Sequence, residues 1–238
     1  MVEPTSRFSE VKIPLGEPVH GLNEVSGVLG VPRWWPTGSR VSVVIAHDSN
    51  SDMNDPLVEF LQRELTERRN LTLRFNFPFA EAKKKRADSE AVLRRTFRAA
   101  IGSLVTDPTA VPAHLFVGGA GIGGLTAAAL AGTRVRVDGL FLLGFPLHPQ
   151  GKTEKVSPEI LYRVVAPMLF IQGTRDRNCE IDVLRRTLSK VGAPTSLFNE
   201  EGADHRFSVL KKSDRLAEDV HLSVLDRIDG WIQKVLGP

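Results

Sequence analysis

HLFVGGAGIGGLTAAAL, residues His114 to Leu130, runs an apolar segment of strand character into a glycine turn and on into an alanine-rich segment of helical character. That succession places the turn at the end of a buried strand with a helix leaving it. Two chemistries use such a turn. A dinucleotide site requires G-x-G-x-x-G so that backbone can approach a pyrophosphate, and Gly119, Gly121 and Gly124 satisfy it. Asp138 then falls about 20 residues on, where a ribose-binding acid is expected. A nucleophile elbow requires G-x-S-x-G, a strained turn that lifts an attacking hydroxyl above the sheet. Gly119, Ala120, Gly121, Ile122 and Gly123 fit that frame except at its centre, where the serine position is Gly121.

The flanking sequence alternates short apolar runs with helical patterns, the signature of an α/β protein with a mostly parallel sheet and helices on both faces. VSVVIAH (Val41 to His47) lacks polar alternation and reads as a central strand buried on both sides. NDPLVEFLQRELTER follows with Leu57, Phe60, Leu61 and Leu65 at helical spacing, capped by Asn54 or Asp55 before Pro56. A strand LTLRFNF and a helix from about Asp88 to Val105 come next. Beyond the glycine turn, VDGLFLLGFPL and APMLFIQGT read as buried strands, IDVLRRTLSKVG as a helix and TSLFNE as a strand. The last helix is expected from about Ser213 to Leu236, with Leu216, Val220, Val224, Ile228, Trp231 and Val235 facing the core. NEVSGVLGVP near the start suggests an antiparallel edge pair, and the tryptophans of the RWWP that follows read as packing.

The dinucleotide reading has a positional difficulty, because two strand-helix units precede a turn that usually opens such a fold. The elbow reading predicts an acid after a later strand and a histidine after the last one. Asp176 follows MLFIQGTRD and His205 follows TSLFNEEGADH, just ahead of the closing helix. Asp204 and Asp182 are rival acids in less suitable places.

At this point VIAHDSN, RFNFPF, VGGAGIGG, GFPLHPQGK, LFIQGTRD and GADHRF, spread over roughly residues 40 to 212, resemble the signature segments of a small α/β-hydrolase family. It is similar to dienelactone hydrolases and to the hydrolase-like domain of the nonspecific-lethal chromatin complex. The resemblance implies an α/β-hydrolase fold over residues 1–238 as a single domain. Little or no lid is expected, since Phe145 to Ala166 is too short for one. Where the family typically reads G-G-K-S-x-G-G, this chain has Ala120 and Gly121 in place of Lys-Ser. The resemblance therefore carries over the Asp176 and His205 pair without the nucleophile.

Without a hydroxyl no acyl-enzyme forms at residue 121, and the expectation is a protein inactive or very weak towards esters. The main-chain groups of an oxyanion hole survive such a loss: Ile122 N–H and one from Asp48 or Ser49. The expected ligand is a small carbonyl or ester-like compound, or a protein partner. An active hydrolase or lyase using His205 with water or Ser49 stays open, as does a dinucleotide-binding protein. Ser49 and Ser51 are the better substitutes for the serine, with turn hydrogen bonding as their plainer role, and Cys179 the poorer one; Ser208 reads as capping or packing beside the histidine loop. His47 is placed at the cleft in a supporting hydrogen bond, and His148 either lines the cleft or shapes a loop with Pro146 and Pro149.

The totals narrow the classes. The chain has 238 residues, 42% hydrophobic and 25% charged, enough for one large core. Its net charge of +3 arises from 31 basic and 28 acidic side chains, an excess too small to point to nucleic acid. The cluster Lys83 to Arg86 reads as a solvated lead-in to a helix, or as a surface for an acidic partner. One cysteine excludes an internal disulfide and favours a reducing, cytoplasmic setting. No apolar run is long enough for a membrane span, and MVEPTSRFSE has neither a basic start nor an apolar run, so a soluble, unexported chain is expected. His20, His114 and His221 have no partner at metal-ligand spacing, so neither metal nor cofactor is expected.

Overall fold

The computed structural model describes residues 5–33, 35, 40–104, 111–133 and 135–237. Trp34 and Pro36 of the RWWP segment and the expected helix end at Val105 lie outside the described residues. The strands are β1 (Arg7–Val19), β2 (Leu22–Val31), β3 (Val41–Ala46), β4 (Leu71–Phe75), β5 (His114–Ala120), β6 (Gly139–Leu143), β7 (Met168–Gly173) and β8 (Thr195–Glu200). They follow the order β1-β2-β4-β3-β5-β6-β7-β8. β1 with β2 and β2 with β4 are antiparallel; β3 with β4, β6 with β7 and β7 with β8 are parallel. This is the α/β-hydrolase arrangement, mostly parallel with an antiparallel edge. By packing, the chain resolves into two compact units, Met1–Val117 and Gly118–Pro238.

In the first unit, β3 is buried along its whole length, as its unbroken apolar run requires. Its one polar side chain, Ser42, donates to His114 O at 3.0 Å, which satisfies a hydroxyl that burial would otherwise strand. α1 (Pro56–Glu67) starts at Asp55, whose carboxylate accepts from Leu57 N at 3.1 Å. Its buried stripe is Leu57, Val58, Leu61 and Leu65; Phe60, expected in the stripe, is half-buried with the Arg63 guanidinium 5.6 Å over its ring. A short helix α2 (Pro78–Glu81) and α3 (Glu90–Ser103) complete the unit.

The antiparallel edge is larger than the sequence suggests. β1 has only Ile13 and Leu15 buried, so its alternation is too weak to stand out from a polar segment. Pairing with β2 sustains it, through a His20–Gly21 turn in which both residues take positive φ, 53° and 78°. His20 Nε2 meets Asp88 at 2.6 Å, and Asp88 accepts from Phe79 N at 2.8 Å, which ties the turn to the start of α2.

In the second unit, α4 (Ile122–Ala131) is buried nearly all round, which its small side chains allow. β6 and β7 are buried throughout. α5 (Ile181–Leu188) follows the acid loop, and α6 (Ala217–Leu236) packs on β6, β7 and β8. The α6 stripe is Val220, Val224, Leu225, Ile228, Trp231 and Ile232. Two members of the expected stripe are corrected: Leu216 is 64% exposed and Val235 half-buried. The reason for the first is the helix start. Leu216 is the capping residue, its N–H donating to Asp219 Oδ2 at 2.8 Å, so its side chain precedes the helix. Residues 145–166 hold only a 3₁₀ turn, Leu161–Arg163, and no cap.

Gly118 shows how closely β5 and β6 approach. A Cβ there would lie 2.1 Å from Phe141 O and 2.6 Å from its ring. Gly118→Ala is therefore expected to lower unfolding free energy by about 3 kcal/mol through overpacking, read from denaturant midpoints. A midpoint equal to wild type would show that the sheet can widen at this place without cost.

Candidate active site

The turn between β5 and α4 is built by Gly121, at φ 49° and ψ −116°. This lies in the left-handed half of backbone space, where a residue with Cβ is strained and glycine is not. Gly121 N–H donates to Leu143 O at 2.9 Å, and Gly121 O accepts the first helical bond of α4 from Leu125 at 3.0 Å. The turn is thus pinned on both sides, to β6 and to the helix it opens. Ile122 is the first residue of that helix. Gly124 seats the helix, since a Cβ there would stand 2.8 Å from Gly119 O.

Asp176 and His205 meet. Asp176 stands on the loop after β7, and its side chain is 0% exposed against 21% for His205. His205 Nδ1 and Asp176 Oδ2 are 2.8 Å apart. With the carboxylate accepting, the proton lies on Nδ1 and the ring's basic lone pair on Nε2. Asp176 Oδ2 also accepts from Gln172 Nε2 at 2.5 Å, and Oδ1 from Asn178 N at 2.7 Å. A buried carboxylate requires such compensation, because its desolvation is otherwise prohibitive.

The loop carrying His205 is held by its own turn and by two strand ends. Asp204 Oδ1 accepts from Arg206 N at 2.9 Å and Ser208 N at 3.0 Å, and Phe207, at φ 60°, is buried beneath the turn. Asp204 therefore serves the loop's backbone. Asp182, the other rival acid, is exposed and pairs with Arg185 at 2.8 Å. Gly144 and Gly173 let the loop come close: a Cβ at Gly144 would lie 2.7 Å from His205 O, and one at Gly173 2.4 Å from Ala203 O. Gln172, Gly144 and Gly173 were not singled out in the sequence. Gln172 carried a signal, as the one strongly polar side chain in an otherwise apolar strand.

His148 is buried, with Nδ1 3.0 Å from Pro149 O and Nε2 accepting from Glu180 N at 3.0 Å. It lines a cavity of about 740 Å³ beside the acid loop, together with Thr153, Thr174, Asp176, Arg177, Cys179 and Glu180. Burial pushes the Cys179 thiol up to about 12, helped by the Asp176 charge, so it is not a thiolate nucleophile at neutral pH.

In the first unit, His47 is fully buried and both ring nitrogens are engaged: Nδ1 is 2.7 Å from Asp48 O, and Nε2 accepts from Phe77 N at 3.1 Å. Phe77 and Phe79 stand edge-on to the ring. Asp48 and Ser49 lie in the loop after β3, where Ser51 Oγ donates to Asp48 O at 3.3 Å. Ser49 lines a groove of about 520 Å³ with Asp52, Phe79, Lys83 and Lys85. The cluster Lys83 to Arg86 is exposed.

The dinucleotide reading fails on position. Asp138 precedes β6 and so stands at the strand's N-terminal start, whereas a ribose-binding acid belongs at a strand's carboxyl end. Among the described residues no group of three or more His, Cys, Asp or Glu could hold a metal ion, and no helix is long and apolar enough to cross a membrane.

Residues 39–233 match the α/β-hydrolase domain family, and the chain belongs to it. Solved structures with the same fold include the dienelactone hydrolase of Anabaena variabilis, at 21% identity and TM-score 0.71 over 93% of this chain and 96% of that one. An α/β serine hydrolase without lid from Xanthomonas campestris matches at 15% identity and TM-score 0.71, covering 94% of each chain. Est1E from Butyrivibrio proteoclasticus, with ferulic acid bound, matches at 15% and 0.71 over 93% of this chain and 99% of that one.

Two outcomes are expected from the buried groups. Desolvation holds the His47 imidazole below the ordinary 6.5, so the unfolded chain takes up a proton there that the folded chain refuses. The stability this provides is complete above about pH 6.5 and declines as pH falls below it towards the folded pKa, with a slope of at most about 1.4 kcal/mol per pH unit. His47→Gln is expected to flatten that slope in urea unfolding series from pH 7.5 to pH 5.5; an unaltered slope would place the acid sensitivity elsewhere. Cys179 is expected to resist iodoacetamide in the folded chain and to react on unfolding, and rapid native labelling would contradict its burial.

Proposed function

We propose that this chain is an α/β-hydrolase-fold protein without a covalent nucleophile at the elbow. It is inactive or very weak as an esterase and holds a small carbonyl or ester-like ligand. The observation that carries the reading is Gly121, which stands at φ 49° and ψ −116° between β5 and α4, where the elbow motif of the fold places serine. Glycine there removes the attacking hydroxyl and relaxes the turn. An L-residue at such an angle is strained by about 1–3 kcal/mol, so the substitution favours stability over acyl transfer. The proposal assigns the ligand's carbonyl oxygen to main-chain N–H groups at the start of α4, which Ile122 opens. The resemblance read from the signature segments to the hydrolase-like domain of the nonspecific-lethal complex adds a protein partner to this proposal as a further role. The single cysteine supports a cytoplasmic setting.

The Asp176–His205 contact favours a second reading, slow water-driven hydrolysis. In it, water attacks the carbonyl carbon as its proton passes to His205 Nε2. Collapse of the tetrahedral oxyanion then expels the alkoxide, which recovers that proton. Ester turnover separates the two readings. No turnover by the native chain is expected under the first; measurable turnover lost in His205→Ala would establish the second. Gly121→Ser is expected to raise esterase kcat/KM by about 10²-fold or more if the imidazole and its acid are competent. The same variant should lose about 1–3 kcal/mol of stability. A stable but inactive Gly121→Ser chain would count against an intact apparatus.

A further inference from the structure

One polar side chain interrupts the apolar run of β7. Gln172 is fully buried, and both ends of its amide are in use. Oε1 accepts from Phe145 N at 3.0 Å, and Nε2 donates to Asp176 Oδ2 at 2.5 Å. Chemistry forces this orientation of the amide, because a main-chain N–H only donates and a carboxylate only accepts.

The oxygen that Gln172 reaches is the same one that faces His205 Nδ1 at 2.8 Å. The other carboxylate oxygen takes Asn178 N at 2.7 Å, a contact within the loop itself. Of the three donors, Gln172 alone belongs to the sheet, and its far end is anchored to the main chain just after Gly144. Gly144 in turn is the position where any Cβ would strike the His205 carbonyl. Gln172 thus joins the strand end that seats the histidine loop to the acid that faces the ring.

We infer that Gln172 is the positioning residue of the Asp176–His205 pair, fixing the carboxylate in the plane in which Oδ2 meets the imidazole. This rests on the reading of that pair as the retained general-base apparatus. A glutamine whose only task was to satisfy Phe145 N–H would need no contact with Asp176. A methionine would fill the same volume while leaving both Phe145 N–H and one direction of the carboxylate without a partner. A glutamate preserves the acceptor for Phe145. Towards Asp176 it acts as donor only while it carries a proton. Two carboxyl groups at that separation share one proton, whose loss is displaced above the ordinary carboxylate range. Among the described residues, Asp176 contacts Gln172, His205 contacts Asp176, and Cys179, which feels the Asp176 charge, stays protonated through neutral pH.

The test reads the His205 Nδ1 proton directly, as a low-field resonance in proton NMR assigned by its absence from His205→Ala. Wild type is expected to show it at pH 5.5 and pH 8. Gln172→Met is expected to lose it at both. Gln172→Glu is expected to keep it at the lower pH and lose it at the higher, a rescue that general loss of packing does not produce. If wild type shows the resonance and Gln172→Met retains it unchanged, the positioning role is overturned while the pair stands. If wild type lacks the resonance, the pair itself is overturned and this inference with it. Should Gln172→Met fail to fold, Gln172→Glu decides: pH-dependent signal supports the role, and signal indifferent to pH refutes it.

Discussion

The second unit is organised around a carboxylate that has been taken out of water. Asp176 presents no side-chain surface to solvent, and an ion so placed is tolerable only when donors replace its hydration. Three do so: the Asn178 main chain, the Gln172 amide and the His205 ring. Each comes from a different piece of backbone, so the carboxylate is satisfied only when the acid loop, the end of β7 and the histidine loop are all in place. Site geometry and local folding are therefore the same requirement.

Close approach is what makes the arrangement possible. The histidine loop reaches the sheet where Gly144 and Gly173 end their strands, and either position would collide with loop carbonyls if it carried a Cβ. The loop holds its own shape through the Asp204 carboxylate and the buried Phe207 ring. Just before the loop, at the end of β8, the buried Glu200 pairs with Arg215 at 3.0 Å and accepts from Ser223 in α6. The connection between β8 and α6 is thus anchored at both ends by buried or half-buried polar contacts. Such contacts discriminate one arrangement from its neighbours more than they add net stability.

The turn at Gly121 and the Asp176–His205 pair obey opposite logics. Glycine removes strain from a backbone angle that a hydroxyl-bearing residue would have to endure. The acid and the imidazole are held by the donors that a carboxylate withdrawn from water requires. Under the proposed function, a turn relaxed by glycine beside a retained acid–imidazole pair favours binding or proton transfer over acyl transfer at the site.

Much of this was legible in the amino-acid sequence, for a physical reason. Buried strands such as VSVVIAH and capped helices such as the one beginning at Asp55 are specified by local hydrophobic pattern and by the hydrogen-bonding needs of helix ends. The order of glycine turn, Asp176 and His205 follows from chain connectivity alone, as does the absence of a hydroxyl at residue 121. The sequence was silent or misleading where the deciding contact is distant. β1 is too polar to announce itself and exists through pairing with β2; Leu216 fits the helical period yet precedes the helix. Asp138 fits a spacing but occupies the wrong end of a strand. Both nitrogens of His47 and His148, the clearance at Gly144 and Gly173, and the amide of Gln172 were decided only by tertiary structure. They depend on which groups the fold brings within about 3 Å, a relation that no local pattern encodes.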